Sequence, residues 1–246
     1  MQELPRMSPE QKKHLLALLS GRITPRRLAK MKQVVKKRTR HLTLVLEDIY
    51  QPHNASAVLR SCECFGIQDV HIIENRNIYQ VNPDVVLGAT KWLTLHQYAA
   101  EEHNTRSCIE RLKQQGYRIV ATTPHQNDCL LPHLEVDQKT ALLFGTELEG
   151  LSREAIEMAD AFVSIPMMGF SESLNISVSA AICLYHLTSK IRKSVDSWTL
   201  DEEEKTDILI SWILQSVRNP DALINHLRQQ PGKAQGQTPG PDCGLP

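Results

Sequence analysis

From residue 42 onward the chain alternates short apolar runs with longer stretches of helical periodicity. Residues 42–46, 70–73, 118–122, 140–144 and 162–165 are brief runs dominated by Val, Ile, Leu, Ala and Phe. Their nearly unbroken apolar character predicts strands of a sheet covered on both faces. Between them, residues 55–65, 101–114, 152–159 and 176–192 read as helices, and this alternation predicts an α/β fold on a mostly parallel sheet.

Both ends of the chain read as helical. Ser8, Pro9 and Gln11 form an N-cap, a first-position proline and a capping-box partner, and Gly21 is the stop. Thr24 and Pro25 repeat the start signal for a helix running to about Arg38. Its apolar stripe is Leu28, Met31 and Val35, while Arg26, Arg27, Lys30, Lys36 and Lys37 fall largely off it. Beyond Arg192 an acidic helix is predicted with Thr199 and Glu202 as its capping box and Ile208, Trp212 and Leu214 as apolar positions, Trp212 packing on a core or a partner rather than on a base. A short helix starts at Asn219, Pro220 and Asp221, and the Gly- and Pro-rich residues 231–246 are expected to be disordered. The resulting division is a helical arm over 1–41, an α/β domain over 42–192, a helical extension over 193–230 and a tail over 231–246.

Charge changes this picture. The chain of 246 residues is neutral overall, but residues 1–41 hold twelve Lys and Arg against Glu3 and Glu10, a net +10 balanced by −10 in the remainder. Such asymmetry fits a basic arm that attaches to a polyanion, and it equally describes a solvated helical face. The six cysteines show no CxxC pair or zinc spacing, so reduced thiols are expected, with no disulfide framework and no metal. No apolar run approaches the roughly 20 residues that span a bilayer, and the first residues lack a secretory stretch, so no membrane association and a cytoplasmic location are expected.

Three segments carry candidate chemistry, each beginning near the end of a predicted strand, where open α/β sheets bind ligands. The first is NASAVLRSCECFG (54–66), with Asn54 read as the N-cap of a helix and Arg60 six residues on, its long side chain leaning back toward Asn54. The second is GTELEG (145–150), a glycine-rich turn that is neither a P-loop nor a dinucleotide fingerprint. The third is IPMMGFSESLNISVSAA (165–181), whose small residues permit close helix packing. Taken singly, these are also what a capped helix with a surface arginine, a tight turn and a helix contact look like.

Taken together, in this order, the segments resemble the motifs of the SPOUT-type RNA 2′-O-methyltransferases, most closely those acting on guanosine 18 of tRNA, over about residues 32–192. The resemblance implies a deep trefoil knot in the carboxyl half and an obligate homodimer whose active site draws on both subunits. It implies functional roles for Asn54 and Arg60, an orienting role for Glu147, and a place near the reacting 2′-hydroxyl for Ser173 and Asn175. Gly145, Ile165, Leu174 and Thr122 would line the S-adenosylmethionine pocket. Family accounts make the arginine a base, but a guanidinium stays charged, so a clamp on phosphate and developing alkoxide fits Arg60 better. The alternatives are a 2′-O-methyltransferase of ribosomal RNA and a non-catalytic RNA-binding protein of the same fold. The short helical arm favours tRNA, and intact Asn54, Arg60, Glu147, Ser173 and Asn175 favour an enzyme.

Overall fold

Leu42–Glu47 (β1), Asp69–Ile73 (β2) and Thr140–Phe144 (β6) are buried at every position, as strands sandwiched between two helical layers must be. The computed structural model describes residues 7–123 and 129–217. With Thr94–Tyr98 (β3), Arg118–Thr122 (β4), Cys129–Leu130 (β5) and Ala161–Ser164 (β7), these strands form one sheet in the order β3-β2-β1-β6-β4-β7-β5. Every pairing is parallel. All five strands read from the sequence are present, within a residue or so at each end. The sequence pattern misses β3 and β5 because both lie at edges: β3 (TLHQY) is only half-buried and polar, and β5 is two residues long.

β2 begins at Asp69, one residue before the apolar run. This buried carboxylate accepts from Arg40 Nε at 2.6 Å and is paired with His96 Nε2 at 2.8 Å. Burial works against its charged form, but these two partners more than offset it and hold its pKa below the usual range. The ring of His71, stacked on His96 at 4.6 Å, is driven by burial to a pKa of about 3 and stays neutral.

Alternate residues along each strand face opposite layers. Leu42, Leu44, Leu46, Leu142 and Phe144 pack against Pro52–Phe65 (α3) and Ile176–Ser194 (α7). Val45, Ile119, Ala141 and Leu143 pack on the other face, against Asn104–Gln114 (α5) and Arg153–Met158 (α6). Among the described residues of this region the remaining α-helix is the single turn Pro83–Val86 (α4). Gly66 ends α3 at φ +85°, and a Cβ there would sit 2.6 Å from the Lys37 carbonyl oxygen. Any side chain would therefore push apart α3 and the chain entering β1.

The terminal helices form a third layer. Pro9–Ser20 (α1) starts with the Ser8–Gln11 capping box, and Thr24 caps Pro25–Val35 (α2), as the sequence predicts. Both pack on Glu202–Leu214 (α8) through Leu15, Leu19, Met31, Val35, Ile208 and Trp212. The capping box of α8 is Asp201 with Glu204, not Thr199 with Glu202. Asp201 accepts from the Glu204 N–H at 2.7 Å and returns its own N–H to Glu204 at 2.9 Å, and its charge suits a helix N-terminus better than a hydroxyl. Trp212 donates from Nε1 to the Trp92 carbonyl at 3.2 Å, and the Arg38 guanidinium lies 5.3 Å from its ring centre. Trp212→Ala is expected to lower unfolding free energy by about 3–5 kcal/mol, measured by urea titration.

Three basic residues of the arm are used internally. Arg38 is fully buried, donating to Ile67 O and Glu63; Arg40 also binds Glu204; and Lys12 binds Glu203 and Asp207. Arg26, Arg27, Lys30, Lys36 and Lys37 are exposed, Arg27 reaching Ser216 at 3.1 Å. Among the described residues the cysteines are free, and Cys62, Cys108 and Cys183 are buried, the last two pushed up to about 12 by desolvation. No helix among the described residues is long and apolar enough to cross a membrane. The helix start at Asn219–Asp221, the tail over 231–246 and Cys243 lie outside the described residues.

Candidate active site

All strands are parallel, so their carboxyl ends share one edge, and there the three motif segments meet. Asn54 is not the N-cap of α3. Proline is favoured at the first helical position, so the helix starts at Pro52 with Gln51 in the cap position, and Asn54 lies in the first turn, 3% exposed. Its amide is therefore released from capping. The Nδ2 donates to Glu147 Oε1 at 2.5 Å and to Gln51 Oε1 at 3.2 Å, while Oδ1 accepts from Asn175 Nδ2 at 3.1 Å. Asn175 in turn caps α7, its Oδ1 accepting from the Ser177 N–H at 2.9 Å and the Ser177 hydroxyl at 2.6 Å. One chain of hydrogen bonds thus runs Glu147–Asn54–Asn175–Ser177, joining residues from all three segments.

The turn carrying Glu147 is closed by paired backbone bonds between Thr146 and Gly150, at 2.9 and 3.1 Å. A Cβ on Gly145 would sit 2.1 Å from the Gly150 carbonyl oxygen and 2.3 Å from the Leu151 nitrogen. Gly145 is therefore required by the closure of its own loop, a stricter demand than the approach of a ligand that the sequence brings to mind. The far end of the loop is anchored by Glu47, a buried carboxylate that accepts from the Ser152 N–H and hydroxyl and from the Thr105 hydroxyl.

Thr122, at the end of β4, donates its hydroxyl to Leu143 O at 2.7 Å. Since β6, β4 and β7 are neighbours, Thr122, Gly145 and Ile165 share one stretch of the edge. Ile165 is half-buried and Leu174 is 36% exposed. The main chain of residues 166–174 makes no backbone hydrogen bond with another described residue, so its donors and acceptors are open to a ligand.

Ser173 and Arg60 are exposed, and their side chains make no hydrogen bond or ion pair with a described residue. At 100° per residue Arg60 lies roughly 120° around α3 from Asn54, and among the described residues its side chain makes no contact that joins it to the Glu147–Asn54–Asn175 chain. A shallow groove of about 450 Å³ runs between α3 and α7, lined by Ala57, Ser61, Val178, Ile182 and Tyr185 among others.

Two residues escape the sequence motifs. Glu47 ends β1 and Asp48 follows it, and two acids closing an apolar run are the signal that could have found them. Asp48 adopts φ +54°, a strained value that an aspartate tolerates, and its Oδ1 accepts from the N–H groups of Asn75, Arg76 and Asn77. It thereby fixes the loop after β2. Between that loop, the N-terminus of α5 and the 145–150 turn opens a second cavity of about 700 Å³.

A family model described as "SpoU rRNA Methylase family" matches residues 41–185, more than half of the chain. The tRNA (guanosine(18)-2′-O)-methyltransferase of Borreliella burgdorferi is 44% identical over 210 residues, 85% of this chain and 94% of that protein. The Thermus thermophilus enzyme of the same name is 30% identical over 77% of this chain and 97% of its own. Among solved structures, the A. aeolicus TrmH/SpoU tRNA modifying enzyme superposes with a TM-score of 0.71 at 27% identity, covering 82% of this chain and 99% of that one. The SpoU methyltransferase AviRb from Streptomyces viridochromogenes, in complex with AdoMet, matches with a TM-score of 0.55 at 25% identity over 66% of this chain and 62% of that one. The matched region spans β1 through the first half of α7, which holds the sheet edge and the bonded chain of Glu147, Asn54, Asn175 and Ser177, and on this evidence the protein belongs to the SpoU rRNA methylase family.

Proposed function

We propose that this protein methylates the ribose 2′-oxygen of guanosine 18 in tRNA, using S-adenosylmethionine. The observation that carries the reading is the hydrogen-bonded chain linking Glu147, Asn54 and Asn175, present in a protein 44% identical to a relative named for that activity. When bound, S-adenosylmethionine supplies an electrophilic methyl group. The open main chain of residues 166–174 and the apolar Ile165 and Leu174 fit such a ligand, and Thr122, Gly145, Ile165 and Leu174 would hold it. Asn54 fixes the Glu147 carboxylate, and Asn175 and Ser173 position the ribose. Arg60, a permanent cation, clamps the adjacent phosphate and stabilises the alkoxide as it forms.

The same reading includes a homodimer and a carboxyl-terminal trefoil knot. What supports the dimer is the apolar α3–α7 groove, where Val178, Ile182 and Tyr185 are 45%, 37% and 66% exposed. With a second copy seated there, Arg60 serves the partner's site. Residues 42–192 serve as the methyltransferase domain, in the cytoplasm, with the exposed bases of α2 as an RNA-binding arm.

Incubation with S-adenosylmethionine and tRNA transcripts, followed by mass spectrometry of the nucleosides, is expected to yield 2′-O-methylguanosine at position 18. Methylation of ribosomal RNA alone would overturn the choice of substrate, and no methylation of either would overturn the reading. Neutralising Arg26, Arg27, Lys30, Lys36 and Lys37 together is expected to weaken tRNA binding without changing S-adenosylmethionine affinity. The log–log salt slope should flatten by roughly 0.9 for each phosphate that the arm no longer neutralises, or about 0.7 on single strands. An unchanged slope in filter-binding titrations would move the RNA off this arm.

A further inference from the structure

The cavity of about 700 Å³ beside Glu147 is not accounted for by the transfer chemistry, yet its size is that of a small-molecule site. Six carboxylate residues line it, Glu47, Asp48, Glu102, Glu147, Glu149 and Glu154, with Arg76 as the one lysine or arginine. Five of the six are engaged. Glu47 is held by Thr105 and Ser152, Asp48 by three backbone N–H groups, Glu147 by Asn54, Glu149 by Arg76 and Glu154 by Arg106. Glu102 makes no hydrogen bond or ion pair with a described residue. At the same cavity Tyr50 is 73% exposed, an aromatic ring available for stacking.

An anionic wall repels the phosphates of RNA and leaves the nucleobase as the part that could enter. The bases differ in what they offer a carboxylate. On its pairing edge guanine alone places two donors side by side, N1–H and the N2 amino group. Adenine and cytosine set one donor beside an acceptor, and uracil flanks its single donor with acceptors. A carboxylate has two acceptor oxygens in one plane and no donor, so it matches guanine and mismatches the others.

Building on the methyltransferase reading, we propose that this cavity is the pocket for the target guanine, with Glu102 accepting from N1–H and the N2 amino group, Tyr50 stacking on the base, and the ribose left at Glu147. Glu102 is a specificity-determining residue. The Arg76–Glu149 pair, two lining residues joined at 2.7 Å with both side chains more than 70% exposed, breaks at little cost if a base requires it.

The test uses the full chain and tRNA carrying guanosine, inosine or adenosine at the target position. Inosine keeps N1–H and loses the amino group. Wild type is expected to methylate guanosine faster than inosine in kcat/KM by about tenfold or more, the worth of one hydrogen bond to a charged group. Glu102→Gln should bring guanosine down to the inosine level with S-adenosylmethionine affinity intact, and Tyr50→Ala should slow all three substrates while preserving their ratios. Equal rates for guanosine and inosine in wild type, or full discrimination in Glu102→Gln, would overturn the pocket. Saturation-transfer NMR with free guanosine, inosine and adenosine separates this from the activity itself. Guanosine-selective binding that Glu102→Gln abolishes supports the pocket even if no RNA is methylated, and binding without selectivity overturns it.

Discussion

Arg60→Ala is expected to reduce methyl transfer on the order of 100- to 1,000-fold, the loss typical of removing one donor to a developing oxyanion. Folding and S-adenosylmethionine affinity should survive, because Arg60 is exposed and unpaired among the described residues. The proposed dimer makes a sharper claim, that Arg60 serves the partner's site. Mixed preparations therefore discriminate. Arg60→Ala and Asn175→Ala proteins, each inactive alone, should recover about a quarter of wild-type activity after co-refolding in equal amounts, since half of the dimers are mixed and one site in each is intact. If Arg60 acts within its own chain, every site keeps one defect and the mixture stays inactive.

Gly145→Val is expected to abolish both S-adenosylmethionine binding and turnover. A Cβ at 2.1–2.3 Å from three backbone atoms of Gly150 and Leu151 cannot be relieved by rotating a side chain. The turn must open, breaking the Thr146–Gly150 bonds and carrying Glu147 away from Asn54. Calorimetric titration should show no cofactor binding to this variant, whereas Ser173→Ala, altering an exposed side chain that bonds to no described residue, should bind like wild type. Gly145→Val with unperturbed affinity would show that the loop is more plastic than its bonding implies. The Glu47 bonds to Ser152 provide a control, because they anchor the loop beyond the damaged turn and should keep α6 in place.

How far such behaviour is legible in the sequence depends on whether its cause is local. β1, β4 and β6 announce themselves because burial on both faces forces an unbroken apolar run, and the capping box at Ser8 does so because its partners are three residues apart. β3 does not, since an edge strand need only be half-buried and can carry His96 and Gln97. The identity of the site residues is visible as motifs, but their connection is not. Asn54 meets Glu147 across 93 residues of sequence and Asn175 across 121, and no periodicity encodes such a meeting. The misplaced N-cap follows from the same cause: Asn54 has the chemistry of a cap, and only its long-range partners reveal that it is spent elsewhere. Likewise the +10 of the arm overstates what RNA can meet, because Arg38, Arg40 and Lys12 are paired with acids from β2, α3 and α8 or their flanks.

Those pairings have a mechanical consequence. α1 and α2 share their core with α8, and residues 36–41, which lead into β1, are pinned by Arg38 and Arg40. The basic surface of α2 is thus bolted to the sheet at a fixed offset, as the jaw of a caliper is fixed to its beam. If RNA docks on this arm as proposed, it must present its target ribose at a set distance, so that size and shape would be gauged before any base is read.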